Sequence, residues 1–138
     1  MATRLPKNYA PSSDESFMNK KQQEFFRRRL NIWRDEILKD SQDTLAALQE
    51  DSLREPDIAD RASSETDWSV ELRTRDRQRK LVSKIDSALD RIDAGEYGYC
   101  QVTGEPISLK RLDARPVATM SIEAQEMHER REKVHRDE

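Results

Sequence analysis

The sequence predicts a mainly α fold: a long antiparallel coiled-coil hairpin on a small globular, zinc-finger-like base, followed by a C-terminal helix. Three observations carry that expectation. Two long stretches, residues 15–51 and 57–94, contain neither glycine nor proline. Each holds apolar residues at the three- and four-residue spacing of a heptad seam. All the glycines (Gly95, Gly98 and Gly104) fall instead in a short turn-rich segment after the second stretch.

Composition agrees with an elongated shape. Charged residues make up 38% of the chain and hydrophobic ones 34%, whereas an average globular domain is roughly 25% charged. So few apolar side chains cannot fill one large core. The 25 basic and 28 acidic residues leave a net charge of -3, so no overall field draws the chain to DNA or to a membrane. A single cysteine, Cys100, rules out an intrachain disulfide and fits a reducing compartment. No apolar run has the length of a signal peptide or a membrane span. The expectation is a soluble, cytoplasmic monomer.

Residues 1–14, with Pro6 and Pro11, read as a flexible or docked arm, and Ser12, Ser13 or Asp14 are the candidate caps for the helix that follows. The hairpin occupies residues 15–95. In its first helix Phe26, Leu30, Trp33 and Ile37 are spaced four, three and four apart; Leu45 and Leu48 extend the stripe, and Asp40 and Ser41 interrupt it. Such a stripe is the buried face of an amphipathic helix rather than a cofactor site. The pattern breaks in an acidic segment near residues 52–62, where Pro56 suits the first turn of a new helix. Leu81, Ile85, Leu89 and Ile92 then resume the seam, and Gly95 is placed to stop it. Helices of thirty-odd residues would each be roughly 50 Å long. Residues 96–120 form the base, with a turn over residues 103–106 and packing expected from Tyr97, Tyr99, Ile107, Leu109, Leu112 and Ile122. The last helix belongs to residues 121–138, with Ser121 as its cap.

Three constellations stand apart from this frame. In residues 56–62 (PDIADRA), Asp57 and Asp60 share one helical face at the turn. Without His, Cys or further acids they make a poor metal site, and without an apolar pocket a poor catalytic pair; capping or a contact role at a tip remains. In residues 73–80 (RTRDRQRK) five of eight residues are basic and none is apolar. This run is either a solvated face or a surface for acidic protein or phosphate. Cys100, Thr103, Ser121 and Ala124 have the spacing of a zinc ribbon, but only the first is a zinc ligand. No structural zinc is expected, and Cys100 reads as a buried small side chain rather than a sensor.

These features in this order resemble the DksA family of RNA polymerase regulators. The resemblance covers roughly residues 17–135 and rests on residues 26–33 (FRRRLNIW), 56–62, 69–81 (SVELRTRDRQRKL), 98–100 (GYC) and 111–116 (RLDARP) taken together. It implies a coiled-coil arm that enters the secondary channel of RNA polymerase and destabilises open promoter complexes. With the alarmone ppGpp it would inhibit ribosomal RNA promoters and activate some amino-acid biosynthesis promoters in the stringent response. The family tip motif matches Asp57, Asp60 and Ala62; the polymerase-contacting arginine matches Arg77; and ppGpp-binding residues match Leu81, Lys84 and Arg115. Two departures follow. A family lysine of the ppGpp group is Gln125, for which Lys110 or Arg111 could compensate, and three of the four family cysteines are absent. The resemblance thus implies a zinc-independent member with no cofactor, ppGpp as effector, polymerase as partner and no specific DNA binding. A coiled-coil scaffold is the alternative; it leaves the acidic turn and the basic run unexplained. A nucleic-acid-binding zinc-ribbon relative is opposed by the net charge. An enzyme is least favoured, since no nucleophile–base set, phosphate loop or metal cluster is present.

Overall fold

Long uninterrupted helices dominate the computed structural model, which describes the backbone of residues 3–54 and 58–137 and the side chains of 3–50 and 65–136. Among the described residues there are four α-helices: α1 (Lys20–Arg54), α2 (Ile58–Ala94), α3 (Leu109–Ala114) and α4 (Ile122–Asp137). None is long and apolar enough to cross a membrane. The chain divides into two units. One combines the residues up to Leu30 with those from Ser87 onward, and the other is Asn31–Asp86.

In the Asn31–Asp86 unit the two long helices run antiparallel. Arg34 Nε meets Asp86 Oδ1 at 2.7 Å, and Arg75 Nε donates to Ser41 Oγ at 3.2 Å, so position rises on one helix as it falls on the other. Ile37 and Ile85 are buried, each contributing about 1.5–3 kcal/mol by removal from water. Beyond them the seam is only half-buried and turns polar. Ser41, Thr44, Leu45 and Leu48 line it from α1, and Trp68, Glu71, Arg75, Gln78 and Val82 from α2.

In the other unit the same helices pair through Arg27 and Asp93, 3.0 Å apart. Phe26, Leu30, Ala88 and Ile92 are buried with Tyr97, Ile107 and Leu112. The Phe26 and Tyr97 rings lie 5.5 Å apart, and the Tyr97 hydroxyl donates to the Pro116 carbonyl at 2.8 Å. That bond satisfies the polar end of an otherwise apolar ring. Glu24, also buried, is held by Arg27 and Arg28 at 3.2 and 3.0 Å, which answers the cost of burying its charge. Helix α2 closes where expected: Gly95 has φ 76, Gly95 N bonds Ile92 O and Glu96 N bonds Arg91 O, a Schellman stop.

The start of α1 differs from the expectation. The helix begins at Lys20 and its cap is Asn19, whose Oδ1 accepts the Gln22 N–H at 2.9 Å. Met18, at φ 54, cannot be helical, and its N–H is taken by Gln22 Oε1 at 2.8 Å. Gln22 is fully buried and also donates to Ser12 O and Glu15 Oε2. Glu15 accepts from Tyr9 and Asn19 as well, and Arg28 Nη2 reaches Thr3 O at 3.2 Å. The segment before α1 is therefore tied to it by a polar network.

Tyr99 and Ile122 are the other departures. Both are substantially exposed, at 39% and 49%. Cys100, Val117, Ala118 and Ala124 are buried instead. Tyr99 forms an isolated antiparallel bridge with Pro106 and packs its ring edge-on to Phe17.

Candidate functional site

Of the acidic segment, residues 58–62 form the start of α2. Asp57 lies outside the described residues. Asp60 and Ala62 fall within helix α2, with side chains outside the described set.

The basic run is helical throughout and lies within α2. Helical rotation sorts its members. Arg75 turns toward α1, half-buried, with its Nε on Ser41 Oγ. Arg73, Arg77, Arg79 and Lys80 are exposed. Arg77 touches its own helix through Thr74 Oγ1 at 3.5 Å. Leu81 is half-buried and Lys84 exposed; Arg77, Leu81 and Lys84, four and three residues apart, share one side of α2. An open groove of about 140 Å³ on a different side of α2, facing α1, is lined by Ile37, Leu38, Ser41, Arg75, Gln78, Arg79 and Val82.

Arg115 belongs to the other unit. It is exposed and caps α3, its N–H bonding Arg111 O at 2.7 Å. Arg111 commits its Nε to the Met120 carbonyl at 2.8 Å, and the Gln125 amide donates to Glu129 at 3.1 Å. Lys110 is exposed, so of the two candidates to replace a cation at Gln125 it is the less engaged.

The four zinc-ribbon positions do come together, as a hydrogen-bonded cluster. Burial pushes the Cys100 thiol up, but hydrogen bonds from the Thr103 hydroxyl and from the N–H groups of Ser121, Thr103 and Val102 outweigh it and bring it down to about 6. Ser121 Oγ accepts the Ala124 N–H at 3.2 Å at the start of α4, and Ala124 is buried. Backbone bonds from Cys100 N to Glu105 O and from Gln101 N to Thr119 O, both 2.8 Å, complete the join. The donor set is one thiol, two hydroxyls and a methyl, and no group of three or more His, Cys, Asp or Glu suited to a metal occurs among the described residues. This does not fit tetrahedral zinc, which takes thiolate and imidazole ligands.

Neither the polar network around Gln22 nor the inward turn of Arg75 was evident from residue type. The second had a signal: Trp68, Arg75 and Val82 keep the seven-residue interval of the seam.

An antiparallel two-helix arm segment carrying exposed basic residues, in a chain whose zinc-ribbon positions retain one thiol, places the chain in the class of mainly α proteins with a coiled-coil-like hairpin. Residues 22–92 match the model of the DnaK suppressor protein DksA N-terminal domain, and residues 95–130 match the prokaryotic dksA/traR C4-type zinc finger. An RNA polymerase-binding transcription factor DksA of Caulobacter vibrioides (strain NA1000 / CB15N) is 62% identical over 131 residues, 95% of this chain and 92% of the relative. That of Escherichia coli (strain K12) is 38% identical over 125 residues, 91% and 83%. The structure of transcription factor DksA2 from Pseudomonas aeruginosa superposes with a TM-score of 0.80 at 43% identity, covering 89% of this chain and 93% of that one. The chain belongs to the DksA family. Residues 95–130 match the family's zinc-finger model, while their ribbon positions hold one thiol, two hydroxyls and a methyl.

Proposed function

We propose that this chain is a non-catalytic regulator of bacterial transcription that binds RNA polymerase in its secondary channel, destabilises open promoter complexes and acts with ppGpp in the stringent response. The observation that carries this reading is the relationship to RNA polymerase-binding transcription factors along nearly the whole chain. The protein acts as a cytoplasmic monomer, inhibits ribosomal RNA promoters and activates some amino-acid biosynthesis promoters. Asp57, Asp60 and Ala62 form the tip that meets the catalytic elements of polymerase, and Arg77 contacts polymerase from the arm. Leu81, Lys84 and Arg115 bind ppGpp at the interface. The exposed positions of Arg77, Lys84 and Arg115 support these roles, since a guanidinium or ammonium must be free of internal partners to meet phosphate or carboxylate. The base replaces the zinc of the family's finger with the Cys100 hydrogen-bond cluster, so no metal is required.

Transcription from a ribosomal RNA promoter tests the reading. Wild type should inhibit, and ppGpp should deepen the inhibition. Lys84→Ala and Arg115→Ala should keep the basal inhibition and lose the ppGpp response. Absence of inhibition by wild type would overturn it.

A further inference from the structure

The α3 segment is a cationic surface with one acid in it. Between Glu105 and Glu123 the chain holds three basic residues, Lys110, Arg111 and Arg115, and a single carboxylate, Asp113. Lys110, Asp113 and Arg115 are exposed, and Arg111 is half-buried. Asp113 follows Lys110 by three residues, the spacing at which side chains meet on a helix, and precedes Arg115 by two. Left alone, its carboxylate would take up a neighbouring cation and repel any anion approaching the segment.

Arg29 prevents this. It reaches across from α1, and its Nη1 holds Asp113 Oδ1 at 2.6 Å. Its neighbours Arg27 and Arg28 turn instead to Glu24 on their own helix. Lys110 and Arg115 meet no carboxylate among the described residues. Arg115 is fixed at its backbone: its N–H bonds Arg111 O at 2.7 Å, and its carbonyl accepts the Ala118 N–H at 3.0 Å. The next carbonyl, of Pro116, accepts the Tyr97 hydroxyl at 2.8 Å. A held backbone with an unpaired guanidinium is arranged to receive an oxyanion. The Arg29–Asp113 pair is itself largely open to solvent, with side chains 38% and 73% exposed, so it contributes little to folding. Its effect falls on the charge of the surface.

We infer that Arg29 is a positioning residue for the ppGpp response: by holding Asp113 it keeps Lys110 and Arg115 free for the phosphates of the effector. The inference rests on the reading that Arg115 binds ppGpp, and it extends that reading to three residues to which it gives no role. Arg29 touches no effector; it acts by neutralising the one carboxylate of the segment. The same bond leaves Lys110 available to supply the cation that Gln125 does not.

Transcription from a ribosomal RNA promoter with full-length protein and purified polymerase, titrated with ppGpp, tests this. Each protein is read relative to its own inhibition without ppGpp. Arg29→Gln should need about three- to tenfold more ppGpp for half its full effect. Arg29→Gln/Asp113→Asn should return close to wild type, because it removes the released carboxylate without restoring the bond. A bond that served only to hold α3 in place would not be rescued in this way. Arg115→Ala, run alongside, should lose the response. Equal weakening in the single and double variants would overturn the inference and leave the ppGpp reading intact. So would a wild-type response in Arg29→Gln while Arg115→Ala loses its own. A wild-type response in Arg115→Ala, or no response by wild type, would remove the reading of the site and the inference with it.

Discussion

Arg75 Nε donates to Ser41 Oγ across the two long helices of the Asn31–Asp86 unit at 3.2 Å, in the middle of a seam that is apolar on the Ile37–Ile85 side. A polar layer at seam positions fixes register at a cost in stability. The double substitution Ser41→Leu/Arg75→Leu should therefore raise the stability of the arm by about 1–3 kcal/mol, read as a melting temperature several degrees higher. A lower melting temperature would show that the hydrogen-bonded layer stabilises the pairing outright.

The Cys100 cluster makes a pH-dependent prediction. The folded thiol titrates at about 6, below its ordinary value of 9.0, because the hydrogen bonds favour the thiolate. Its contribution is present above the ordinary value and is lost as pH falls through about 6. The gap in melting temperature between wild type and Cys100→Ala should be larger at pH 9 than at pH 5. A chelator should leave both proteins' melting temperatures unchanged. A gap that is flat or reversed with pH would contradict the account of the cluster, and melting on chelation would contradict the metal-free base.

Glu15 ties the N-terminal segment to α1. Its carboxyl is held below the usual range, first by the hydrogen bond from Tyr9 and then by those from Asn19 and Gln22. A depressed carboxylate stabilises the fold above its ordinary value and loses that effect as pH falls through the folded one. Glu15→Gln should be less stable than wild type at neutral pH, and the difference should close in acid. Hydrogen exchange at the amides before α1 should speed up in the variant at neutral pH.

Gly98 has φ 90, and a Cβ there would lie 2.7 Å from Met18 Cε and 3.2 Å from Phe17 Cζ. Gly95 has a similar φ of 76 with nothing within 4 Å. Gly98→Ala should thus cost about 2–4 kcal/mol, from conformation and crowding together, whereas Gly95→Ala should cost about 1. Denaturant unfolding of the two variants separates the terms, and equal losses would show that Met18 and Phe17 yield freely.

Much of the helical frame was legible because periodicity carries it. The seam from Phe26 to Ile37 and that from Leu81 to Ile92 each place their apolar residues inward, and Gly95 stops α2 for a reason that glycine alone supplies. The start of α1 was not legible. Several polar residues before it could cap a helix, and the choice of Asn19 depends on Gln22, a residue type seldom fully buried. Tyr99 and Ile122 are exposed while their neighbours Cys100 and Ala124 are buried, and the N–H donors that gather on Cys100 have no letter in a sequence. At the candidate site, Arg77, Leu81 and Lys84 were named by the family resemblance, and the helix over them puts them on one side of α2. The inward turn of Arg75 was signalled only by its seven-residue interval from Trp68 and Val82, because a run of charges without an apolar residue otherwise hides which member faces the partner helix. The roles of Asp57, Asp60 and Ala62 rest on the family motif.

The central claim is that the acidic segment acts on the open complex, while the arm and base bind polymerase and ppGpp. Open-complex lifetime at a ribosomal RNA promoter, measured with saturating wild type or Asp60→Asn and with polymerase binding measured alongside, tests it most directly. The account predicts a shortened lifetime with wild type and a lifetime near that of polymerase alone with Asp60→Asn, at equal binding. An equally shortened lifetime with both proteins would contradict it.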